Sequence, residues 1–415
     1  MKILYVGHTY TVRANQAKIA ALATAPCPHL KKEEESFAKD EPIEITLVTP
    51  HGWRGPLYAN RADRFDRSLA ENVDHHILRA FFIGKEGAYL FSPAIFSLIA
   101  KLKPDIVHVE QGTYALSYAQ IILALQLFSP HSRVVFFTWW NLPYKLRGLK
   151  RIAERYNLSH SSCAIAGNEA ARAILREHGF QKPIEVLPQL GIDKNLIVER
   201  DSAERDGKHF TIGYAGRITE EKGVLDLVRA VEQMQNVNDL ILYMIGSGNA
   251  LNEVRQAAAV QNVHFVHHPP VRNEELPEHL AKMDVLVLPS RTTPTWVEQF
   301  GHVLLEAMAA GVPVIGSSSG EIPKVISNAG LIFEEGNIAE LSERLETLRS
   351  SNQECERLAK LGTARVRDHY SHEIIASAQM QLYRWMMLHG NPIGQRGIRS
   401  KPKNTVCQAS RTTHE

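Results

Sequence analysis

The stretch Phe210-Thr-Ile-Gly-Tyr-Ala-Gly-Arg-Ile-Thr-Glu-Glu-Lys-Gly-Val224 decides how the chain is read. Phe210 to Ala215 reads as a buried strand, Val224 to Met234 has helical composition, and a polar, glycine-bearing turn joins them. Gly213 and Gly216 permit close backbone approach. Arg217 supplies a forked cation and Lys222 a point cation, which together suit an anion such as a diphosphate. A surface strand-to-helix turn with solvated charges is the plain alternative for this segment alone.

The strand and helix rhythm continues downstream. Leu240 to Ile245, Val263 to Val266, Val285 to Leu288 and Val312 to Gly316 read as strands. The helices Leu251 to Ala259, Leu276 to Lys282 and Gly301 to Ala310 alternate with them. Such alternation predicts a doubly wound α/β domain over 209–370. Upstream, strands at Lys2 to Val6, Ile43 to Val48, Asp105 to Glu110, Val134 to Thr138, Cys163 to Ala166 and Val186 to Leu187 repeat it over 1–195. Helices fall at Asn15 to Ala23, Phe91 to Leu102 and Tyr118 to Leu127. The polar run Cys27 to Asp40 reads as a solvated connection. Residues 196–208, charged and poor in large apolar groups, form the expected linker. Helices are also read over Ile338 to Leu348, Glu354 to His369 and 371–389, ahead of a mobile, basic tail over 390–415.

Two further loops follow strands of the second domain. In Pro289-Ser-Arg-Thr-Thr-Pro-Thr-Trp-Val-Glu298-Gln-Phe-Gly-His-Val-Leu-Leu-Glu306, a loop enters a helix near Gly301. The N–H groups at that helix start can receive phosphate. Glu298 lies in the approach loop and Glu306 inside the helix, spaced to reach different parts of an elongated ligand or, for Glu306, to form a helix salt bridge. Ser317-Ser-Ser-Gly320-Glu-Ile-Pro323 is the third loop. All three fall by topology on the carboxyl edge of the sheet, where open α/β domains bind ligands.

Composition bounds the alternatives. The 415 residues are 44% hydrophobic and 22% charged, enough for two cores and unlike a disordered chain. With 47 basic against 45 acidic residues, the +2 net charge offers no field for a nucleic-acid backbone. Cys27, Cys163, Cys355 and Cys407 are scattered without metal or disulfide spacing and suit a reducing compartment. No apolar stretch approaches the roughly 20 residues that span a bilayer, and the start lacks a secretory pattern. A cytoplasmic location is the expectation.

On the Gly216-Arg217 to Lys222-Gly223 segment, the Glu298 and Glu306 pair and the Gly320-Glu-Ile-Pro323 loop, in that order, the chain resembles the retaining GT-B glycosyltransferases of family 4. That group includes glycogen-synthase-like and sucrose-phosphate-synthase-like enzymes. The resemblance runs from the first strand to Tyr383. It implies two facing Rossmann-like domains with a C-terminal helix crossing back to the first. It implies a hexosyltransferase that keeps the anomeric configuration, with a nucleoside-diphosphate sugar, UDP- or GDP-linked, as donor substrate and a hydroxyl acceptor. It implies that no metal is required, since Arg217, Lys222 and the helix terminus offer a substitute for one. On the same resemblance Arg217 and Lys222 would neutralise the diphosphate, Glu306 would take the ribose hydroxyls, and Glu298 would contact the transferred sugar. Gly216, Phe300, Gly301, His302 and Val303 would complete the donor site.

The first domain departs from the family pattern. Where relatives carry a glycine-rich loop, this chain has Gly7-His-Thr-Tyr-Thr-Val-Arg-Ala-Asn15, which makes His8 and Arg13 acceptor candidates. Where a histidine is usual after the strand Val134 to Thr138, it has Trp139-Trp140-Asn141. Asn141 can bond a sugar and the indoles can stack on one, or plug the core. Glu110 is read either as a sugar or acceptor ligand or as half of an internal ion pair, and Asn168-Glu169 likewise. Trp296 is read as shaping acceptor entry. Tyr144 to Arg155, with five basic residues and one glutamate, suits an anionic membrane surface or an ordinary solvated helix. A phosphorylase-like enzyme, a nucleotide-sugar epimerase and a non-catalytic nucleotide-sugar sensor or assembly subunit are the rival readings.

Overall fold

A computed structural model describes residues 1–25, 43–55, 61–198, 209–235, 237–260 and 263–393. Cys27 to Asp40, Cys407, linker residues 199–208 and the tail from 394 lie outside the described residues. The chain divides into two compact units, Met1–Gln189 with the residues from Ala376 onward, and Leu190–Ile375.

The first unit is built on β1 (Lys2–Gly7), β2 (Glu44–Pro50), β3 (Val73–Leu78), a short antiparallel pair β4 (Ala80–Phe81) and β5 (Leu90–Phe91), β6 (Ile106–Glu110), β7 (Arg133–Thr138), β8 (Cys163–Ala166) and β9 (Ile184–Val186). All but β4 and β5 form one sheet in the order β3-β2-β1-β6-β7-β8-β9. Every pairing in it is parallel. A parallel strand covered on both faces must be apolar throughout, and Ile3 to Val6, Val107, Val109 and Val134 to Phe136 are buried accordingly. The helices Ala94–Leu102 and Leu116–Phe128 supply Ile95, Ile99, Ile121 and Leu125 to one face of that core.

The C-terminal helix His372–His389 joins this unit from Ala376 on. Tyr383 places its hydroxyl 2.6 Å from His108 Nδ1, inside the unit. The segment after the helix is tied down as well, since Arg133 Nε donates to the Gly390 carbonyl and Ile393 N–H to that of Ser132.

The second unit carries β10 (Phe210–Ala215), β11 (Leu240–Ile245), β12 (His264–His268), β13 (Val285–Leu288), β14 (Val314–Ser317) and β15 (Leu331–Phe333). They form one parallel sheet in the order β12-β11-β10-β13-β14-β15. The direction of winding reverses between β10 and β13. It does so between β1 and β6 in the first unit. At such a switch the flanking connections leave on opposite faces, so a crevice opens at the carboxyl ends of the two central strands. Both units are therefore Rossmann-like, as the alternation of elements predicts.

Several elements differ from the sequence reading for local reasons. The helix expected from Phe91 begins at Ala94, because Phe91 pairs with Ala80 and Pro93 opens the first turn. The helix expected over Glu354 to His369 starts at Asn352, where Ser351 caps it by accepting the Glu354 N–H, and gives way after Arg365 to a π-helical turn, Val366–Tyr370. Strand β3 and the β4–β5 pair were not anticipated. Val73-Asp-His-His-Ile-Leu78 is half polar because it forms the edge of its sheet.

Candidate active site

The three loops singled out in the sequence leave β10, β13 and β14, two of them at the switch point. Gly223 is what lets the first two meet. It has φ of +66°, and a Cβ there would lie 1.8 Å from the Pro289 carbonyl oxygen. The contact brings Lys222, on a short 3₁₀ turn Glu220–Lys222, against the Glu298 loop. Lys222 Nζ lies 2.6 Å from Glu298 Oε2, and Ser290 Oγ donates to the same oxygen at 2.7 Å. Glu298 is 6% exposed. The third loop packs on the backbone of that residue, since a Cβ at Gly320 would fall 2.0 Å from the Glu298 carbonyl and Glu321 N–H donates to it.

Arg217 is half exposed and pairs with Glu221 at 3.4 Å. Its guanidinium carbon lies 4.7 Å from the centre of the Trp296 ring, and Lys222 Nζ lies 4.8 Å from the same ring. Gly216, with φ of +152°, precedes this cation. Gly301, at φ +79°, opens the helix His302–Ala309 with no side-chain cap, leaving the N–H groups of its first turn, those of His302 and Val303 among them, without intrahelical acceptors. Phe300 is buried edge-on to Tyr370. Glu306 Oε1 lies 3.4 Å from His302 Nδ1. The structure thus brings Arg217, Lys222, Trp296 and Glu298 together, with the helix of Glu306 starting four residues after Glu298.

Sequence reasoning missed the clamp beneath this group. Arg291 Nε and Nη2 bond the two oxygens of Asp226 at 2.5 and 2.6 Å, fixing the Glu298 loop to the helix Val224–Glu232. Neither residue belongs to a spacing that marks it, and the pair is legible only once the helix is folded against the loop.

In the first unit Glu110 sits at the carboxyl end of β6. Its Oε1 accepts from Tyr5 at 2.5 Å, Tyr10 at 2.9 Å and Lys18 at 3.0 Å, while Oε2 accepts from Gln189 at 2.6 Å. Lys18 and Glu110 side chains are each 1% exposed. Burial opposes the carboxylate charge, yet Lys18, His108 and these hydrogen bonds hold its pKa below the ordinary value. Gln189 then accepts from Trp139 Nε1 at 2.6 Å. Trp139 lies flat on Gly167, where a Cβ would come within 1.9 Å of the ring.

His8 stacks on Trp53 at 4.1 Å, and burial lowers its pKa to about 4, so its imidazole is neutral at pH 7. Arg13 is exposed and pairs with Asp66. Trp140 is 46% exposed and edge-on to Tyr144, and Asn141 follows it half-buried. Asn168 caps the helix Glu169–Glu177 by accepting the Ala171 N–H. Of the first-unit candidates, Glu110 and Trp139 share one hydrogen-bonded chain through Gln189.

His302 titrates unusually. Partial burial disfavours its charge, but the hydrogen bond and the charge of Glu306 raise its pKa above 6.5. The sign follows: the imidazolium's contribution is complete below the ordinary pKa and lost as pH rises through the elevated folded-state value. In Glu306→Gln the His302 midpoint, followed by NMR of the ring protons, is expected to fall; an unchanged midpoint contradicts the coupling.

Residues 37–194 match the glycosyltransferase family 4 model and residues 197–365 the model described as glycosyl transferases group 1. A GDP-mannose-dependent monoacylated alpha-(1-6)-phosphatidylinositol monomannoside mannosyltransferase of Corynebacterium glutamicum is 29% identical over 57% of this chain and 64% of its own length. The chain spans about half, 46% to 57%, of several other curated relatives. Anabaena HepE in complex with UDP and glucose superposes with a TM-score of 0.63 at 15% identity, over 93% of this chain and 100% of the other. Sucrose-phosphate synthase of Thermosynechococcus elongatus does so with 0.66 at 19%, over 94% and 99%. These structural likenesses carry the fold, which is GT-B, and with both family models matched in order the chain belongs to the family 4, group 1 glycosyltransferases.

Proposed function

We propose that the chain transfers a hexosyl group from a nucleoside-diphosphate sugar to a hydroxyl acceptor with retention of configuration, and that the donor lies across the β10–β13 switch. The observation that carries the reading is the Lys222–Glu298 pair at 2.6 Å, set beside Arg217 at the mouth of that crevice. As the bond between the sugar and the diphosphate breaks, negative charge accumulates on the phosphate oxygens. Groups already in place, Arg217, Lys222 and the N–H groups after Gly301, stabilise that charge without reorganising. Gly216 leaves room for the diphosphate, Phe300 braces the loop, and Glu306 accepts from the ribose. Glu298 accepts from a sugar hydroxyl, an orientation role, and neither glutamate serves as covalent nucleophile. The departing phosphate takes the acceptor proton on the same face, and the reaction needs no metal.

A UDP- or GDP-linked donor fits the reading, since the related proteins named above use GDP-mannose or bind UDP. On the acceptor side Trp140 presents a half-exposed aromatic face, with Asn141, His8 and Arg13 near the ends of the strands β7 and β1. Glu110 and Trp139 form the frame under them. Glu298→Gln and Lys222→Ala are expected to lower kcat/KM with the matching donor by about 10²- to 10³-fold, measured by product formation across an acceptor panel. Unchanged transfer contradicts the assignment, and an epimerised donor formed without acceptor favours the epimerase reading.

Attachment to an anionic membrane surface, at the cytoplasmic face, is the second part of the proposal. Among the described residues no helix is long and apolar enough to cross a membrane. The helix Gly148–His160 instead exposes Leu149 by 81% and Ile152 by 65%, among the exposed cations Lys145, Arg147, Lys150, Arg151 and Arg155. Apolar anchors ringed by lysine and arginine suit the boundary between headgroups and acyl chains. Leu149→Glu with Ile152→Glu is expected to abolish co-sedimentation with phosphatidylglycerol vesicles while transfer to a soluble acceptor persists. Equal sedimentation of variant and parent contradicts it.

A further inference from the structure

Trp296 occupies a place that acceptor entry does not explain. One aromatic ring serves two cations, with Arg217 and Lys222 at 4.7 and 4.8 Å from its centre. Two like charges brought to one point repel, and each of these long side chains gives up rotamer freedom if fixed. Carboxylates offset part of this, Glu221 for Arg217 and Glu298 for Lys222. The face of an indole adds an attraction that needs no acceptor atom and does not compete for the cations' N–H donors.

The ring is held from behind. Thr293 and Trp296 close a turn through paired backbone bonds, Thr293 N–H to the Trp296 carbonyl at 2.8 Å and the reverse at 3.3 Å. Before this turn the loop is clamped by Arg291 to Asp226 and by Thr292 to Glu335. After it, Glu298 is locked by Lys222, Ser290 and the Gly320 contact. The indole N–H is buried with no acceptor among the described residues, so the ring's orientation is fixed by its loop and by the cations.

We propose that Trp296 is a positioning residue for the donor, holding Arg217 and Lys222 together in the arrangement that receives a diphosphate. The inference rests on the donor-site reading above and adds to it a residue that acts through the two cations. It places the contribution on the diphosphate, leaving the base and ribose contacts unaffected.

The test is calorimetric titration of the full chain with UDP and GDP and with UMP and GMP, using Trp296→Leu and Trp296→Phe, together with initial rates. Removing two cation–π contacts is expected to weaken the diphosphate about tenfold in the leucine variant and about threefold or less in phenylalanine. The monophosphate shifts less, and kcat/KM for the donor falls in step with the loss of diphosphate affinity. Should the leucine variant fail to fold, fluorinated tryptophan placed at 296 preserves shape while draining the ring face, and affinity for the diphosphate should fall with each fluorine. Diphosphate binding equal to the parent, or equal losses for mono- and diphosphate, overturns the inference. A parent chain that binds none of these nucleotides, nor the corresponding sugars, overturns the donor-site reading itself.

Discussion

The ion pair between Lys222 and Glu298 is the constraint on which the second unit's site depends. The side chains are 13% and 7% exposed, so each has given up most of its water. An ion pair so placed gains little net stability, because desolvation consumes most of the attraction. The proposed function accounts for its presence by what it prepares. In the proposed function the cation held 2.6 Å from the carboxylate meets the arriving phosphate where it stands, and the carboxylate meets a sugar hydroxyl, both ends already dehydrated. Removing either residue takes the counter-charge from the other in a buried place, so the pair acts as one element.

Around that pair the fold does the positioning. Reversal of winding between β10 and β13 opens the crevice, Gly223 allows the two loops to touch, and the Asp226–Arg291 clamp fixes the second loop to the helix that follows the first. The first unit has a comparable buried pair, Lys18 and Glu110, with a different character. Four donors converge on the Glu110 carboxylate, and its charge is consumed within the frame formed by β1, β6 and Gln189. Gln189 extends that frame to Trp139.

Much of this was legible in the sequence because it depends on local chemistry. Apolar runs of strand length alternating with helices gave both sheets, and Gly213 and Gly216 ahead of Arg217 marked a loop where backbone can approach closely. What escaped depends on distant partners. Strand β3 has half-polar alternation because it is an edge, and β4 and β5 are two residues each, too short for any period. Glu110 was open between ligand and ion pair because its residue type is the same in both. Only the fold brings Lys18, 92 positions away, to within 3.0 Å. Ser290 and Arg291 lie within a recognised segment but bond residues that no spacing links to them.

A crystal structure of the chain with a bound nucleoside-diphosphate sugar tests the central claim most directly. The account requires the diphosphate to contact Arg217, Lys222 and the backbone N–H groups after Gly301, the ribose to contact Glu306, and the sugar to contact Glu298. A nucleotide bound at the β1–β6 switch of the first unit, or one whose phosphates touch neither Arg217 nor Lys222, would contradict it.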